Sequence, residues 1–571
     1  MKEKLESYLE ETMAKVGFMV GKAEVVYPKE LGHGDFMSSS TLGIAKQYGK
    51  SPKAMAETIV AEMSKNLPPY IASVDVAGPG FINFHLARDY YTGILEFIKN
   101  DGEHFGRSDL FDGKKVVVEY TQPNPFKPFH IGHLMSNAIG ESIARLIAFN
   151  GGEVIRANYQ GDIGPHVAKA IYAIVKRGEG IVGKNSNEKA LYIGECYAYG
   201  SNMYETDEAA KIEIDALNKK LYEGDPVYKG IYDEGRAVTL EAFEDLYKVL
   251  GTKFDRYYFE SELAPRGLAL VKAFAEKGVF EHSEGAIIFR AEHFNPKLHT
   301  RVFVTSNNLP LYDAKEIALT VAKFTELDPD LSIVTTAVEQ KDYMEVVTEA
   351  IRQMFPVENY TAKMEHVNHG MMRFATGKMS SRKGNVVTGE SLVRDAKDAI
   401  LEIVKDRDFS ASEKKEVAEA VGVAAIKYSI LRSNLGTDII FDFDKSISFD
   451  GDSGPYIQYT ATRARAVVRK AESAGILANV EKPTDATLGI ERILERFPAS
   501  VLRATENREP HQVANFLIEL AGAFNNFYAK EHIIDENDTQ TSAYKVVVTD
   551  AVATVLTKGL FLLGIKVPEK M

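Results

Sequence analysis

Short apolar runs alternate with amphipathic stretches through the middle of the chain. The segments KKVVVEY (from Lys114), GEVIRANY and LSIVTTAV have the pattern of buried strands. The run from Ile131 to Asn150 and the segment HVAKAIYAIVKRG repeat apolar residues at helical spacing, and Gly151 and Gly152 close the first of these helices. Strands that alternate with helices predict a doubly wound, parallel, Rossmann-like α/β sheet.

The pattern changes toward both ends, which predicts a multidomain α/β protein. The first part mixes helical stretches with short strand-like runs such as GFINFHL, whereas the last part is helical almost throughout. We predict four parts: an N-terminal α+β domain at 1–110, the parallel α/β domain at 111–395 with a mostly helical insertion at about 180–300, connecting helices at 396–440, and an all-α helical bundle at 441–571.

Composition narrows the class of protein without naming a function. With 571 residues, 45% of them hydrophobic and 26% charged, the chain is an ordinary globular protein of about three domains. No apolar run is long enough to span a bilayer, and the charged, helical N-terminus is unlike a signal peptide. The single cysteine, Cys196, excludes an internal disulfide and a cysteine-rich zinc site, which fits a reducing cytoplasm.

The net charge of −13 argues against a protein that coats nucleic acid nonspecifically. It leaves room for a local basic face that binds one particular RNA, and such binding would depend on salt concentration.

Two histidines stand at the entrance of a predicted helix in EYTQPNPFKPFHIGHL. A strand, a tight loop and a helix N-terminus together form an anion site, because free N–H groups and the helix dipole point into the crevice at the edge of the sheet. His130 and His133 lie one turn apart and can donate to phosphate oxygens, and Gly132 allows a ligand to approach the backbone. The same residues are also compatible with helix capping or with metal binding.

A second segment, RFATGKMSSRKGNVV, places Lys378, Arg382 and Lys383 among small residues. A mobile loop with these cations suits a polyphosphate that gains charge as it leaves. An ordinary solvated basic turn has the same composition. Because both segments occur on one α/β chain, in this order and far apart, together they favour phosphate chemistry.

The tetrapeptide HIGH and the segment KMSSR resemble the two signatures of class I aminoacyl-tRNA synthetases. NPFKPFHIGHL, KMSSRKGN, FDFDKSISFDGDSGPYIQYTATRAR and the terminal PEKM resemble the arginyl-tRNA synthetase family over nearly the full chain. The resemblance implies activation of L-arginine by ATP, with release of pyrophosphate, and transfer of arginine to the 3′ adenosine of its tRNA. The alternatives are another class I synthetase or amino-acid:AMP ligase, and a non-catalytic, synthetase-like RNA-binding protein.

The resemblance also implies roles for residues of both segments. Catalytic roles fall on His130, His133, Lys378 and Lys383. ATP contacts fall on the two histidines and the Lys378 loop, namely His130, Gly132, His133, Lys378, Met379, Ser380 and Ser381. We expect Mg²⁺ to accompany ATP and to be held mainly by its phosphates, so no metal-binding side chain is predicted.

Arginine selectivity requires carboxylates that face a planar guanidinium. The resemblance implies an arginine site made of Glu119, Asn124, Glu260, Tyr312, Glu316 and Gln340. Glu316 departs from the family pattern, which has aspartate there, and the residues around Gln340 also differ from the common pattern. Without the resemblance, each acid would be assigned to a solvated helix face. Asp162, in NYQGDIGPH, is expected to be structural.

On the RNA side, the resemblance implies that the C-terminal bundle reads the anticodon and that the N-terminal domain meets the tRNA elbow. Tyr456, Tyr459 and Arg463 follow one another at i, i+3 and i+7 on one helix face, which suits base stacking and phosphate contact. A buried aromatic stripe has the same spacing. Asn83 is the predicted base contact of the N-terminal domain. The expected partners are tRNA for arginine, L-arginine and ATP, with no DNA or membrane partner, and the chain is expected to be a monomer.

Overall fold

A computed structural model describes residues 1–19, 21–28, 33–375 and 387–571. The predicted ATP contacts Lys378, Met379, Ser380 and Ser381, and the predicted catalytic Lys383, lie outside the described residues. No helix among the described residues is both long and apolar enough to cross a membrane.

The strands of the described residues are short. In chain order they are β1 Val25–Val26, β2 Phe36–Ser38, β3 Ile71–Ala77, β4 Phe81–Leu86, β5 Lys115–Glu119, β6 Glu153–Gln160, β7 Arg256–Phe259, β8 Glu281–Ser283, β9 Ala286–Arg290, β10 Thr300–Val304, β11 Leu331–Ala337, β12 Met364–His369, β13 Met372–Phe374 and β14 Ile439–Phe441.

Helices make up most of the remainder. In chain order they are α1 Lys2–Lys15, α2 Ser40–Ile44, α3 Pro52–Met63, α4 Arg88–Asp101, α5 Ile131–Phe149, α6 Pro165–Arg177, α7 Ser186–Thr206, α8 Glu208–Glu223, α9 Pro226–Leu250, α10 Glu260–Glu276, α11 Tyr312–Leu327, α12 Lys341–Met354, α13 Gly389–Ile403, α14 Ala411–Leu431, α15 Phe443–Ser446, α16 Gly454–Ser473, α17 Gly489–Glu495, α18 Phe497–Glu506, α19 His511–Lys530 and α20 Thr539–Leu562.

The chain divides into two compact units, and each contains segments that are distant in sequence. The first unit comprises residues 1–105, 463–498 and 519–556. The second unit comprises residues 106–462, 499–518 and 557–571. Segments of the helical C-terminal region therefore belong to both units. The boundaries of the four parts derived from the sequence stay a prediction.

The first unit contains an antiparallel sheet with the strand order β1-β2-β4-β3. Its core includes residues from the helices α1 and α3, and Phe84 of β4 is fully buried in it. Ser51 caps α3 because its side chain accepts a hydrogen bond from the N–H of Ala54. An α+β arrangement at the N-terminus is thus confirmed.

The second unit is built on a five-stranded parallel sheet with the order β12-β11-β5-β6-β7. The first of these strands in the chain, β5, lies in the middle, and the chain adds strands first on one side of it and then on the other. Neighbouring β5 and β11 therefore send their connections to opposite faces, which opens a crevice at their carboxyl ends. The predicted doubly wound sheet is confirmed.

The stretch at about 180–300 is mostly helical, as predicted, but it also contains short strands that were not predicted. Helices α7, α8 and α9 match the predicted helical pattern, but β7 pairs with β6 as the edge strand of the parallel sheet. The strands β8, β9 and β10 form a separate antiparallel sheet. Long amphipathic helices on both sides of these short strands hide them from a search based on periodicity.

The last part of the chain is helical, as its apolar periodicity predicts. From α15 to α20 the described residues contain helices and the turns that join them, without a strand. Apolar side chains of α19 and α20, such as Leu517 and Leu556, are fully buried. The all-α character of this region is confirmed.

Candidate active site

A cavity of about 870 Å³ lies at the carboxyl end of the parallel sheet. All the residues that line it belong to the second unit. Every described residue that was predicted to bind ATP or arginine lines this cavity, namely Glu119, Asn124, His130, Gly132, His133, Glu260, Tyr312, Glu316 and Gln340. Residues separated by more than two hundred positions in sequence therefore share one site.

The two histidines cap the helix α5 and each other. His130 is the N-cap, and its Nδ1 accepts from the backbone N–H of His133 at 3.4 Å. In return, Nδ1 of His133 accepts from the N–H of His130 at 3.2 Å. The two rings stack with their centroids 3.4 Å apart. Because both Nδ1 atoms act as acceptors, we infer that each ring carries its proton on Nε2.

Both imidazoles are held neutral. Burial, and then the charge of Lys127, lower the pKa of His130 to about 4. Burial, followed by the charges of His130 and Lys127, lowers the pKa of His133 well below its usual value. Two neutral rings with fixed Nε2–H groups are hydrogen-bond donors and cannot act as general acids near neutral pH. The capping interpretation is therefore confirmed, and it is compatible with phosphate binding.

The stacked arrangement leaves little room for a side chain at position 132. A Cβ on Gly132 would lie 3.0 Å from Cε1 of the His130 ring, closer than an ordinary van der Waals contact. The preceding loop is also constrained, because Thr121 and Phe126 have φ values of 77° and 66°. A β-branched residue with positive φ is strained. Ser136 of α5 holds this loop by accepting from the N–H of Thr121 at 3.0 Å.

Two of the three predicted carboxylates are paired with buried lysines. Glu119 lies 2.8 Å from Nζ of Lys323, and both side chains are almost fully buried. Glu260 lies 2.6 Å from Nζ of Lys315, in a similarly buried position. Burial raises the pKa of Glu260 although Lys315 opposes this change. Removal of either partner would leave an uncompensated buried charge, which typically costs about 3–5 kcal/mol.

Glu316 is different, because it forms no ion pair among the described residues. Its side chain is buried in the first turns of α11, on the same helix face as Tyr312. Burial, and then the neighbouring charge of Glu119, raise the pKa of Glu316 to about 8, although Lys323 acts in the opposite direction. An additional cation in the cavity would stabilise the ionised carboxylate.

Asn124 and Gly161 bring the loop that follows β5 close to the end of β6. Oδ1 of Asn124 accepts from the N–H of Gly161 at 3.0 Å. A Cβ at position 161 would lie 2.7 Å from that oxygen and 3.0 Å from Oε1 of Glu260. A larger residue at this position would displace these two side chains. Gln340, by contrast, is exposed in a short 3₁₀ turn that follows β11.

Other residues that line the cavity were missed in the sequence. Tyr159 lies at the carboxyl end of β6, where the rule for parallel sheets could have found it. Arg301 and Tyr343 also line the cavity, and Nε of Arg301 donates to Asp313 at 2.6 Å. Arg301 comes from the antiparallel sheet, so no local pattern connects it with the site.

Asp162 has a structural role, as expected. One of its carboxylate oxygens accepts from Nε of Arg236 at 2.7 Å and from Oγ of Ser261 at 2.7 Å. The other accepts from the backbone N–H of Ser261 at 2.8 Å. Asp162 thereby connects the end of β6 with α9 and α10, and it does not line the cavity.

None of the predicted tRNA contacts lines this cavity. Asn83 is buried, and its amide donates to Asp75 at 3.0 Å. Tyr456 and Tyr459 are half-buried on α16. Arg463 donates to Oδ1 of Asn525 at 2.7 Å. The tRNA contacts of these residues stay a prediction.

Within the described residues, no group of three or more histidine, cysteine or acidic side chains could hold a metal ion. The carboxylates Glu119 and Glu260 in the cavity are each engaged by a lysine.

Three family models match the sequence, and together they cover most of the chain. The model described as "tRNA synthetases class I (R), catalytic domain" matches residues 97–443. The "Arginyl tRNA synthetase N terminal domain" matches residues 1–86, and the "DALR anticodon binding domain" matches residues 457–571.

Relatives of similar length agree with these matches. An arginine–tRNA ligase of Oenococcus oeni is 30% identical over 577 residues, covering 100% of this chain and 99% of that protein. An arginine–tRNA ligase of Fusobacterium nucleatum is 31% identical over 568 residues, covering 96% of this chain and 95% of that protein.

Solved structures show the same fold. The arginyl-tRNA synthetase of Thermus thermophilus superposes with a TM-score of 0.79 at 24% identity, and all of both chains is covered. That of Plasmodium falciparum superposes with a TM-score of 0.77 at 20% identity, covering 100% of this chain and 99% of that one. Because the catalytic-domain model spans more than half of the sequence and the similarity to curated relatives extends over its full length, the chain belongs to the arginyl-tRNA synthetase family.

Proposed function

We propose that this chain activates L-arginine with ATP in the cavity of the second unit and then transfers the arginyl group to the 3′ adenosine of its tRNA. The arginine carboxylate attacks the α-phosphate, the bond to the β-phosphate breaks, and pyrophosphate leaves. No side chain needs to act as nucleophile. Catalysis then consists of positioning both substrates and stabilising the charge that develops on the phosphates.

One observation carries this proposal: two neutral imidazole donors line the same cavity as a buried carboxylate that has no ion pair among the described residues. His130 and His133 suit an anion, whereas Glu316 suits a cation. A site for ATP next to arginine needs both of these features. A cavity that binds only one of the two substrates would not.

On the ATP side, the two Nε2–H groups donate to phosphate oxygens as negative charge builds on them. A single fixed donor of this kind is typically worth about 3–4 kcal/mol in the transition state. Mg²⁺ would arrive with ATP and be held mainly by the phosphates, because Glu119 and Glu260 are already engaged by lysines. Lys378 and Lys383, together with the loop that contains them, remain predicted contacts of the leaving pyrophosphate.

On the arginine side, Glu316 accepts the guanidinium, and Tyr312 lies one turn away on the same helix face. The free oxygen of Glu260, Oε1, is a second acceptor. Glu119, Asn124 and Gln340 are assigned to the α-amino and carboxylate groups of arginine, since they lie near the ends of β5 and β11.

The tRNA roles extend the same proposal to other parts of the chain. The C-terminal helices are proposed to bind the anticodon through Tyr456, Tyr459 and Arg463, and the N-terminal domain is proposed to meet the tRNA elbow near Asn83. A monomeric state, a cytoplasmic location and the lack of DNA and membrane partners stay predictions.

Exchange of labelled pyrophosphate into ATP tests the proposal. We expect exchange with arginine and not with lysine, cysteine or citrulline, and we expect it to require tRNA for arginine, as the family resemblance implies. Exchange with lysine or cysteine but not with arginine would favour another class I synthetase. Binding of tRNA without any exchange would favour the non-catalytic alternative.

A further inference from the structure

Lys315 is a buried ammonium group directly behind the arginine site. Its side chain is only 4% exposed, and its Nζ lies 2.6 Å from Oε2 of Glu260. The same Nζ lies 5.1 Å from the ring centre of Tyr312. Lys315 itself does not line the cavity. It therefore contacts two proposed arginine ligands from the side that substrate does not reach.

A second group also holds this lysine. Nζ of Lys315 donates to the hydroxyl of Tyr222 at 3.1 Å. Tyr222 stands in the last turn of α8, one of the helices inserted between β6 and β7. Like Lys315, Tyr222 is absent from the lining of the cavity. The inserted helix α8 is thus connected with the carboxylate of Glu260 through Lys315.

This arrangement determines which oxygen of Glu260 is available to substrate. Lys315 occupies Oε2, whereas Oε1 is directed toward Gly161, where a Cβ would lie only 3.0 Å from it. A carboxylate held at one oxygen by a buried cation cannot rotate freely. Substrate then meets Oε1 in one fixed orientation, which bidentate or paired recognition of a guanidinium requires.

Lys315 also controls the charge of the site. The cavity is lined by three buried carboxylates, Glu119, Glu260 and Glu316. Two of them are matched by Lys323 and Lys315, and the third, Glu316, has no ion pair among the described residues. One such carboxylate favours a ligand side chain with a single positive charge, because that charge stabilises the ionised form of Glu316.

We propose that Tyr222 and Lys315 form a positioning pair that orients Glu260 and fixes the charge of the arginine site, so that a helix of the insertion contributes to amino-acid specificity. This inference rests on the proposed function. Neither residue touches substrate, and both act through Glu260.

The test compares steady-state pyrophosphate exchange of three variants with that of the wild-type protein. Tyr222→Phe removes only the hydroxyl, and we expect the KM for arginine to rise about fivefold with an unchanged KM for ATP, as for the loss of one hydrogen bond. Lys315→Met leaves Glu260 unpaired, and we expect a rise of tenfold or more in the KM for arginine, on the order expected for a broken buried pair.

Tyr204→Phe is the matched control. Tyr204 is also half-buried in the insertion, and its hydroxyl donates at 3.1 Å to Asp215, which does not line the cavity and is not a proposed ligand. We expect this variant to keep the wild-type KM values for both substrates. Thermal unfolding of each variant shows whether a kinetic change accompanies a loss of fold.

The outcomes separate this inference from the proposed function. If the wild-type protein exchanges with arginine while Tyr222→Phe shows wild-type KM values, or shifts both KM values equally, the positioning role is wrong and the function stands. If Lys315→Met fails to fold, the KM values of Tyr222→Phe alone decide whether the positioning role is correct. If the wild-type protein does not exchange with arginine at all, the proposed function fails and this inference fails with it.

Discussion

At the scale of single residues, identical side chains have different roles because their partners differ. Glu119 and Glu260 are each matched by a buried lysine, whereas Glu316 forms no ion pair among the residues that the structure describes. The environment therefore sets how readily each acid ionises. Of the three, Glu316 is the acid whose protonation should respond most to a bound cation.

The first prediction concerns the pH dependence of arginine binding. The pKa of Glu316 is raised to about 8 by burial and then by Glu119. Since the guanidinium pairs with the ionised form, the affinity for arginine should rise with pH, at most tenfold per pH unit up to about pH 8, and then level off. Calorimetric titration with arginine from about pH 6 to about pH 9 measures this dependence, and binding below the pKa should release a proton.

The effect on stability has the opposite sign. A carboxyl whose folded-state pKa is raised contributes stability that is fully present below its unfolded value of 4.5 and is lost as the pH rises through about 8. Glu316→Gln is the control, because it cannot ionise. We expect this variant to bind arginine weakly. Its affinity should not rise between pH 6 and 8, whereas the wild-type affinity should rise with the release of about one proton. An affinity that falls with pH in the wild type would contradict the role of Glu316.

The second prediction separates the two functions of His133, which are helix capping and the proposed donation to phosphate. Asparagine at this position offers an oxygen to the N–H of His130, as Nδ1 does now, but it lacks the Nε2–H donor. His133→Asn should lose about 10²–10³-fold in the rate of arginine activation, the typical effect of one lost donor. Its unfolding free energy should stay within about 1 kcal/mol of the wild type.

His133→Ala removes both functions and should be less stable than His133→Asn by about 1 kcal/mol, while tRNA affinity is retained in both variants. Pyrophosphate exchange, chemical denaturation and tRNA binding provide the measurements. Wild-type exchange rates in His133→Asn would show that His133 only caps the helix.

At the scale of elements, the position of α5 relative to β5 decides where both imidazoles lie. The two elements meet closely at Gly140, where a Cβ would lie 2.3 Å from Cβ of Tyr120. Tyr120 immediately follows β5 and is fully buried. Glycine in a helix interior usually weakens the helix, so its presence here is explained by packing.

The third prediction follows from this contact. Gly140→Ala should force α5 away from Tyr120, destabilise the protein by about 1–3 kcal/mol and displace the histidines. Because a displacement of about 1 Å can cost about 10²-fold in rate, the exchange rate should fall more than the folded fraction does. Thermal unfolding and exchange at saturating substrate measure the two effects.

Gly230→Ala is the matched control, because Gly230 also stands within a helix, α9, and nothing lies within 4 Å of an added Cβ. This variant should be as active as the wild type and more stable by roughly 0.5–1 kcal/mol. Equal effects of the two substitutions would show that the packing at Gly140 has no special importance.

At the scale of the whole molecule, the N-terminal residues do not form a compact unit alone. In the first unit, Nε of Arg492 lies 2.6 Å from Oδ1 of Asp35, and Nη2 of Arg88 lies 2.9 Å from Glu491. Tyr90 donates to Glu495 at 3.1 Å. These pairs connect the N-terminal α+β region with the helix α17, so part of the C-terminal region completes it.

The fourth prediction tests this connection. Arg492→Met leaves Asp35, which is buried, without its cation and should destabilise the first unit by up to about 3 kcal/mol. Lys65→Met is the control, because its pair with Glu62 involves a lysine that is 71% exposed and is screened by water, so its loss should leave stability nearly unchanged.

Limited proteolysis and thermal unfolding measure the effect. Early cleavage near the end of the N-terminal region in Arg492→Met, with a KM for ATP equal to that of the wild type, is the expected outcome. Equal protease resistance of the two variants would contradict the structural role of Arg492.

Much of the architecture could be predicted because local periodicity records it. The helix predicted from Ile131 to Asn150 is observed at Ile131–Phe149, and the strands KKVVVEY and LSIVTTAV pair side by side. The short strand β7 could not be found in this way, since four residues between long helices carry too little periodicity. Its place at the edge of the sheet depends on pairing with β6.

The sequence by itself determined the long helices, most strands of the parallel sheet, the class of the fold and the family, because these depend on patterns between neighbours along the chain. Only the tertiary structure decided which acid is free to bind a cation, which tautomer the histidines adopt and which lysine stands behind Glu260. Lys315 and Glu260 are 55 residues apart, and Lys323 and Glu119 are 204 residues apart. Pairing and burial at such separations follow from packing, and packing sets the electrostatics that give each side chain its role.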